Sequence, residues 1–137
     1  MGQQQLLLLV LAIVIVGIAM VAGINSFMEG RNKANRNAAA TDAMRVASAV
    51  QEWKSRPTPN GGGKDASGFT GVTFPAIGIA GASLNGSGKY PTSTACLALA
   101  GGTNATITIY EQDCSTEIAT VTIAGTRADD ISWNYAS

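Results

Sequence analysis

The first notable feature of this 137-residue chain is an absence, because it contains no histidine. Histidine is the usual general base near neutral pH, the usual partner of a nucleophilic side chain and the commonest metal ligand. The two cysteines, Cys96 and Cys114, are too few for a four-ligand structural zinc site. The chain also lacks the spacing of a phosphate-binding loop and the Cys-x-x-Cys-His motif that attaches haem. We therefore expect neither enzyme activity nor a bound cofactor or metal.

Charge is the second scarce feature. Nine basic and nine acidic residues cancel, and together they make up 13 % of the chain, whereas soluble domains usually carry about a quarter. With no basic stripe to neutralise phosphates, nucleic acid is not an expected partner. The chain beyond residue 24 is rich in Gly, Thr, Ser and Ala. This composition suits a surface that is coated with sugar or packed against neighbours.

One long apolar run stands near the start of the chain. Residues 6–24 contain no charge, and the first charged side chain is Glu29. As a helix with a rise of about 1.5 Å per residue, these nineteen residues span roughly 28 Å, close to the ~30 Å hydrocarbon thickness of a bilayer. The run is apolar on every side, so the helix must be buried all round, in lipid or in protein.

Three explanations compete for this run: a secretion signal, a membrane anchor, and a segment that packs against copies of itself. No Lys or Arg precedes the run, and it is longer than the apolar core of a usual signal peptide. A cleavable signal is therefore disfavoured, and both an ordinary anchor and a self-associating helix stay open. Gly17 and Gly23 would let neighbouring backbones approach closely, or let the helix loosen locally.

Two features of the remaining chain are typical of an extracellular protein. Cys96 and Cys114 would close a loop of nineteen residues, and a disulfide there would stabilise a small domain by about 3 kcal/mol. Two free buried thiols are the alternative. Asn85 and Asn104 each begin an Asn-x-Ser/Thr sequon, which makes them candidates for glycosylation.

The basic residues near the apolar run favour the opposite side of a membrane. Arg31, Lys33, Arg36 and Arg45 all follow the run, and no basic residue precedes it. Taken literally, the positive-inside rule would place the rest of the chain in the cytoplasm. The conflict disappears if a short basic leader once preceded residue 1 and was removed, which is our hypothesis. Comparison of the mature N-terminus with the start codon of the gene tests it.

Residues 25–56 are predicted to continue the helix in an amphipathic form. Its apolar positions are spaced 4, 3, 4 and 3 residues apart and therefore share one helix face: Ala39, Ala43, Val46, Val50 and Trp53. We expect Val46, Val50 and Trp53 to pack this helix onto the rest of the chain. The helix is predicted to end at residue 56, because the residue before Pro57 disfavours the α conformation.

The rest of the chain is predicted to be rich in β-structure. Residues 57–68 are expected to form a flexible connection, and residues 77–93 a loop or a poorly paired strand. Four segments are predicted strands, and the last three alternate apolar with polar residues: 68–74, 105–110, 119–123 and 131–135. The predicted fold is thus α+β, with a long N-terminal α-helix, apolar then amphipathic, packed on a small antiparallel β-sheet head.

This organisation resembles the type IV pilin superfamily. Its subunits begin with a few polar residues, continue into an apolar helix with an amphipathic second half, and end in a small β-rich head that often carries a disulfide. The matching parts here are residues 1–24, 25–56 and 57–137, which cover the whole chain. The resemblance implies a major pilin, the structural subunit of an extracellular pilus-like filament at the cell surface, a polymer used in adhesion among other roles.

The resemblance also implies partners and a set of assembly residues. The partners are identical subunits, the membrane before assembly, a prepilin peptidase and the pilus assembly machinery; the N-terminus of the mature chain is often methylated. The implied filament contacts lie on the N-terminal helix, at Met1, Gln3, Gln4, Gln5, Leu6, Leu9, Ile13, Gly17 and Gly23.

The chain departs from the family at Gln5. Pilins commonly carry an acidic residue there, which is thought to pair with the amino terminus of a neighbouring subunit. Gln5 offers a hydrogen bond but no ion pair, which brings this chain closer to pilin-like filaments that do without the acid. The alternatives are a minor pilin or pseudopilin, and a membrane-anchored binding domain that never polymerises.

Overall fold

The computed structural model describes residues 2–136 and contains one long helix and one antiparallel sheet. The helix, α1, spans Gly2–Ser55. The strands are β1 (Tyr90–Pro91), β2 (Cys96–Ala100), β3 (Ala105–Tyr110), β4 (Glu117–Ile123) and β5 (Ile131–Tyr135), and four short 3-10 helices lie in the connections. The predicted α+β class is confirmed.

The chain divides into two compact units, one ending at Ala34 and the other beginning at Asn35. The described residues of the first unit are helical, and none of their side chains is buried. The second unit, which we call the head, contains the rest of α1, the five strands and one apolar core. The two units are considered separately below.

The sequence accounts for the extent of α1. Residues 2–55 contain no proline, and its glycines cost ~1 kcal/mol each relative to alanine without breaking a helix of this length. The N–H of Arg56 still donates to the carbonyl of Glu52 at 3.0 Å. Pro57 then disfavours the helical conformation of the residue before it, so α1 ends at Ser55.

The sheet is a meander in which each strand pairs antiparallel with the next one in sequence, in the order β1-β2-β3-β4-β5. In β3 and β4 every second residue is buried: Ala105, Ile107, Ile109, Ala119, Val121 and Ile123. The threonines between them lie on the opposite face and pair across the two strands. The strands predicted at 105–110, 119–123 and 131–135 are thus confirmed, and the alternation explains why one face is buried.

The core of the head lies between this face of the sheet and α1. Val46, Val50 and Trp53 are 4 %, 0 % and 5 % exposed, and Ala43 and Ala47 are fully buried between them. Small and large side chains alternate on this helix face, which lets the helix lie close to the sheet. The predicted apolar helix face is therefore the one that covers the sheet.

The strand predicted at residues 68–74 is wrong, because this segment forms a series of turns. Gly68 and Gly71 have φ of +59° and +87°, a conformation that glycine adopts readily and that reverses the chain instead of extending it. Phe69, Val72 and Phe74 are nevertheless buried in the core. The segment thus contributes apolar side chains to the core without forming a strand.

Strand β2 was not predicted at all. In Cys96–Ala100 leucines alternate with alanines. Both faces of the strand are therefore apolar, and the sequence shows no alternation of apolar with polar residues. Residues 77–93, predicted to be loop or poorly paired strand, contain the 3-10 helix Gly81–Ser83 and the two-residue strand β1. Pro91 lies in β1, at an edge of the sheet, where no hydrogen-bond donor is needed on the open side.

Candidate assembly surface

The largest exposed apolar surface lies on the N-terminal part of α1. Sixteen large apolar side chains between Leu6 and Met28 are each between 51 % and 71 % exposed. Among the described residues, α1 is the helix long and apolar enough to cross a membrane, judged by length and composition, and none of its most apolar stretch is buried. Exposure of each such side chain to water is unfavourable by about 1.5–3 kcal/mol relative to burial. An apolar N-terminal helix of this kind is compatible with membrane insertion.

Two shallow grooves follow each other along one side of this helix. Together they are lined by Gln3, Leu6, Leu7, Val10, Leu11, Val14, Gly17, Ile18, Val21, Ala22 and Asn25. These positions recur at spacings of three and four residues and form one continuous row, which we call the groove stripe. A Cβ added at Gly17 would meet no other atom within 4 Å, so the groove is open at this glycine. A second apolar helix can pack into the stripe.

Five predicted assembly residues are distributed over two sides of α1. Gln3, Leu6 and Gly17 lie in the groove stripe. Leu9 and Ile13 lie outside it, about one helical turn from each other, and are 62 % and 64 % exposed. The exposed apolar surface of the helix therefore extends beyond the stripe.

Gln5 and Gly23 lie on the side of α1 away from the groove stripe. They are eighteen residues apart, which is about five full turns, so they share one direction from the helix axis. The first turn of α1 carries no acidic residue. Gln4 is exposed like Gln5, and Met1 lies outside the described residues.

The part of α1 that belongs to the head makes the predicted helix-to-head contacts. Besides Val46 and Val50, the indole of Trp53 covers Gly63 so closely that a Cβ at that glycine would overlap the ring. A side chain at Gly63 would force the indole to move. The loop after α1 therefore depends on a glycine at this position.

Two polar side chains of α1 form hydrogen bonds with loops of the head. The Nε2 of Gln51 donates to the carbonyls of Gly125, at 3.0 Å, and Arg127, at 2.8 Å, in the turn between β4 and β5. The Nζ of Lys54 donates to two carbonyls of the loop that follows α1, at 3.0 and 2.6 Å. Neither set of hydrogen bonds was predicted from the sequence, because a polar residue outside the apolar face of a helix is expected to be exposed to solvent.

Cys96 and Cys114 form a disulfide, with their Cα atoms 5.1 Å apart. The bridge connects β2 to the loop between β3 and β4. Lys89 supports the same loop, because its Nζ donates to the carbonyl of Cys114 at 2.6 Å and lies 3.5 Å from the centre of the Tyr110 ring. A covalent bond, a charged hydrogen bond and a cation–π contact thus converge on one short loop.

Asp113 orders this loop from within. Its carboxylate accepts hydrogen bonds from the hydroxyl of Ser115, at 2.5 Å, and from its N–H, at 3.0 Å, and a longer one from the N–H of Thr116. These bonds, the Ser115 hydroxyl first, lower the pKa of Asp113 to about 2. The ionised carboxylate is therefore the form that stabilises the loop.

The two sequon asparagines have different surroundings. Asn104 is exposed in the turn between β2 and β3. Asn85 is partly buried, and its Oδ1 accepts the N–H of Ser87 at 3.0 Å and that of Lys89 at 2.9 Å. Glycosylation at either position stays a prediction.

A cavity of about 460 Å³ on the head was not predicted. Its walls come from α1, from the end of the 3-10 helix Pro75–Ile77 and the two residues after it, and from β1 and the residues that follow it: Asp42, Arg45, Val46, Ala49, Ile77, Gly78, Ile79, Tyr90, Pro91, Thr92 and Ser93. These segments are far apart in sequence, so no local pattern indicates that they meet. Within residues 2–136, no group of three or more His, Cys, Asp or Glu side chains could hold a metal ion.

Comparisons with protein-family models, with curated proteins and with solved structures found no significant match for this chain. The architecture itself is consistent with a pilin-like fold: a long N-terminal helix, apolar first, whose later part packs on a small antiparallel sheet with one disulfide.

Proposed function

We propose that this chain is the structural subunit, a major pilin, of an extracellular type IV pilus-like helical filament, and that it polymerises through its apolar N-terminal helix. One observation carries the proposal. Sixteen large apolar side chains surround the first part of α1 and are exposed, whereas the head is an ordered unit with its own core and disulfide. Such a helix is stable only where lipid or protein surrounds it.

The membrane supplies these surroundings before assembly. Residues 6–24 are long enough to span the hydrocarbon layer, which satisfies every apolar side chain. Lipid tails are as apolar as leucine, so the hydrophobic effect does not drive these helices together while they remain in the bilayer. An assembly machine is therefore expected to drive extraction.

Neighbouring helices replace the lipid after extraction. Each large side chain that they shield from water stabilises the polymer by about 1.5–3 kcal/mol. The groove stripe would receive one neighbour, and the surface around Leu9 and Ile13 would contact another. A filament held together in this way does not dissociate readily in water.

The polar start of the helix must find hydrogen-bond partners in the same polymer, because an unpaired buried amide is unfavourable. In this chain the group at the fifth position is the neutral amide of Gln5. We infer that it forms a hydrogen bond with a neighbouring subunit in place of an ion pair. A prepilin peptidase would remove a basic leader, as in the family that the chain resembles.

Electron micrographs of the cells that make this protein test the proposal. We expect long surface filaments in which this chain is the main component by mass spectrometry, and which persist after detergent is removed. A minor pilin or pseudopilin would appear as a trace component of filaments built from another chain. A membrane-anchored binding domain would yield dispersed single copies and no filament, which would contradict the proposal.

The substitution Gln5→Leu tests the assembly contact itself. The variant should insert into membranes normally, because leucine is more apolar than glutamine. Filament yield should fall about tenfold, since the partner of the amide is then buried without a hydrogen bond, at ~1–3 kcal/mol. Gln112→Leu, the same change at an exposed position of the head, is the matched control. Equal filament yields for Gln5→Leu and the unaltered chain would remove any role for Gln5.

A further inference from the structure

The first charged residues after the apolar run form a short basic segment that the proposed function does not use. From residue 2 to residue 40 the charged side chains are Glu29, Arg31, Lys33 and Arg36, with a net charge of +2. All four are exposed. Glu29 forms an ion pair with Lys33 at 2.8 Å, and Arg31 and Arg36 have no acidic partner within the described residues.

This basic segment begins where the apolar surface ends. Met28, four residues beyond the apolar run, is the last exposed large apolar residue before the basic segment. Arg31 and Lys33 follow it by three and five residues, so they lie ~4.5 and ~7.5 Å further along the helix. The headgroup layer is about 5–7 Å thick on each side of the hydrocarbon. When residues 9–28, about 30 Å of helix, occupy the hydrocarbon, the Cα of Arg31 therefore lies in the headgroup layer and that of Lys33 at its outer edge. The long side chains of both residues can reach the lipid phosphates from these positions.

The directions of the cations identify the kind of partner. Arg31 and Lys33 are two residues apart, or about 200° around the helix axis, and so lie on nearly opposite sides. A single protein neighbour would contact one of them, and the several neighbours of a filament are absent while the subunit is in the membrane. A ring of lipids around the helix contacts both, and the planar guanidinium of arginine matches the geometry of a phosphate.

We propose that the basic segment binds anionic phospholipid headgroups on the side of the membrane that holds the head. This inference rests on the membrane-inserted stage of the proposed function. The preference proposed here concerns the leaflet next to the basic segment; at the opposite end of the helix the side chains of Gln3, Gln4 and Gln5 are neutral. Each contacting cation should raise the preference about 5-fold.

In assembly, these contacts would retain the unassembled subunit in the membrane, and the retention would increase with the fraction of anionic lipid. Extraction separates Arg31 and Lys33 from the phosphates, so a leaflet richer in anionic lipid should slow the delivery of subunits to a filament. The same contacts compensate for carrying basic residues to the side of the membrane that the positive-inside rule disfavours.

The experiment measures which lipid touches the helix next to the basic segment. The full chain with Phe27→Trp is reconstituted into vesicles of phosphatidylcholine mixed with equal parts of phosphatidylglycerol. Fluorescence quenching by brominated phosphatidylglycerol is compared with quenching by brominated phosphatidylcholine, and the signal of the native tryptophans, from the chain without the reporter, is subtracted. We expect a preference for phosphatidylglycerol of at least about 5-fold, lost in molar salt, where the screening length is ~3 Å.

Two triple variants test whether the basic segment causes the lipid preference. Arg31→Gln/Lys33→Gln/Arg36→Gln should abolish the preference, and Arg45→Gln/Lys64→Gln/Arg127→Gln, which removes three exposed cations of the head, should preserve it. Equal quenching by both lipids, or a preference that survives the first variant, would overturn the proposal.

Filament assays of the same variants separate this inference from the proposed function. Filaments from a chain with no lipid preference would refute the lipid site alone, and a lipid preference in a chain that never polymerises would refute the filament alone. If the first variant loses filaments while its lipid preference is unchanged, the cations contact a second copy of the chain and the lipid proposal is wrong.

Discussion

The disulfide offers the most direct test of how the head is stabilised. Cys96 and Cys114 are eighteen residues apart, and closing a loop of this size in the unfolded chain corresponds to about 3 kcal/mol of stability. Cys96 is also fully buried, so its sulfur contributes to packing independently of the cross-link. Two perturbations separate these effects: reduction of the intact chain, and the double substitution Cys96→Ala/Cys114→Ser.

Reduction keeps both sulfur atoms and removes the cross-link, so we expect the free energy of unfolding to fall by about 3 kcal/mol. The double variant should lose roughly 1 kcal/mol more, because a buried group of methyl size is deleted at residue 96. For a unit of this size the reduced protein should melt at a temperature ~12–24 °C lower. The apolar helix does not take part in this transition, since it has no core of its own.

The assay is urea unfolding of the full chain in a mild non-ionic detergent, followed by tryptophan fluorescence. Trp53 is 5 % exposed in the folded head, so its emission reports the opening of the core. Oxidised, reduced and doubly substituted chains are compared under one detergent condition. A difference below about 1 kcal/mol between the oxidised and reduced chains would refute the reasoning, because the loop would then be held by other contacts. A loss in the double variant far larger than in the reduced chain would show that packing, and not the cross-link, dominates.

Two further predictions concern polar contacts of the head. Gln51→Ala should destabilise the head by about 1–2 kcal/mol, because two carbonyls of the β4–β5 turn lose their donor. Gln51→Leu, which keeps most of the side-chain volume, is the control for packing. Equal stability of all three chains in urea would contradict the prediction. The pKa of Asp113 in the folded state, about 2, lies below its unfolded value near 3.9. Its stabilisation is therefore present above about pH 4 and is lost as the pH falls towards 2. The difference in stability between the native chain and Asp113→Asn should be present at neutral pH and vanish near pH 2, and a difference independent of pH would show that the ionised carboxylate is not the stabilising form.

Local sequence patterns were sufficient to predict the elements in which each face of a helix or strand has one kind of surroundings, either apolar or polar. The apolar run needs no tertiary information, because every side chain in it is of one kind and no proline interrupts the helix. The spacing of Val46, Val50 and Trp53 identified the face that packs on the sheet, since only one face of a helix can reach a core. Strands β3 and β4 were predicted because their threonines and aliphatic residues alternate with the period of the pleat.

Elements whose pattern depends on partners far away in sequence could not be predicted in this way. Strand β2 has apolar residues on both faces, and only its pairing with β1 and β3 fixes it as a strand. Residues 68–74 looked like a strand, but two glycines with positive φ turn the chain there. The roles of Gln51 and Lys54 depend on which loop carbonyls the fold brings beside α1, and the cavity beside Asp42 depends on three distant segments.

The sequence by itself therefore determined that the chain has an apolar helix which water does not tolerate, an amphipathic continuation and a β-rich remainder. These follow from side-chain chemistry read at helix and strand periods, which act over a few residues. The tertiary structure alone decided the register of the sheet, the loop that the disulfide, Lys89 and Asp113 hold in place, and the cavity beside Asp42. Each of these depends on distances between atoms that no local period encodes.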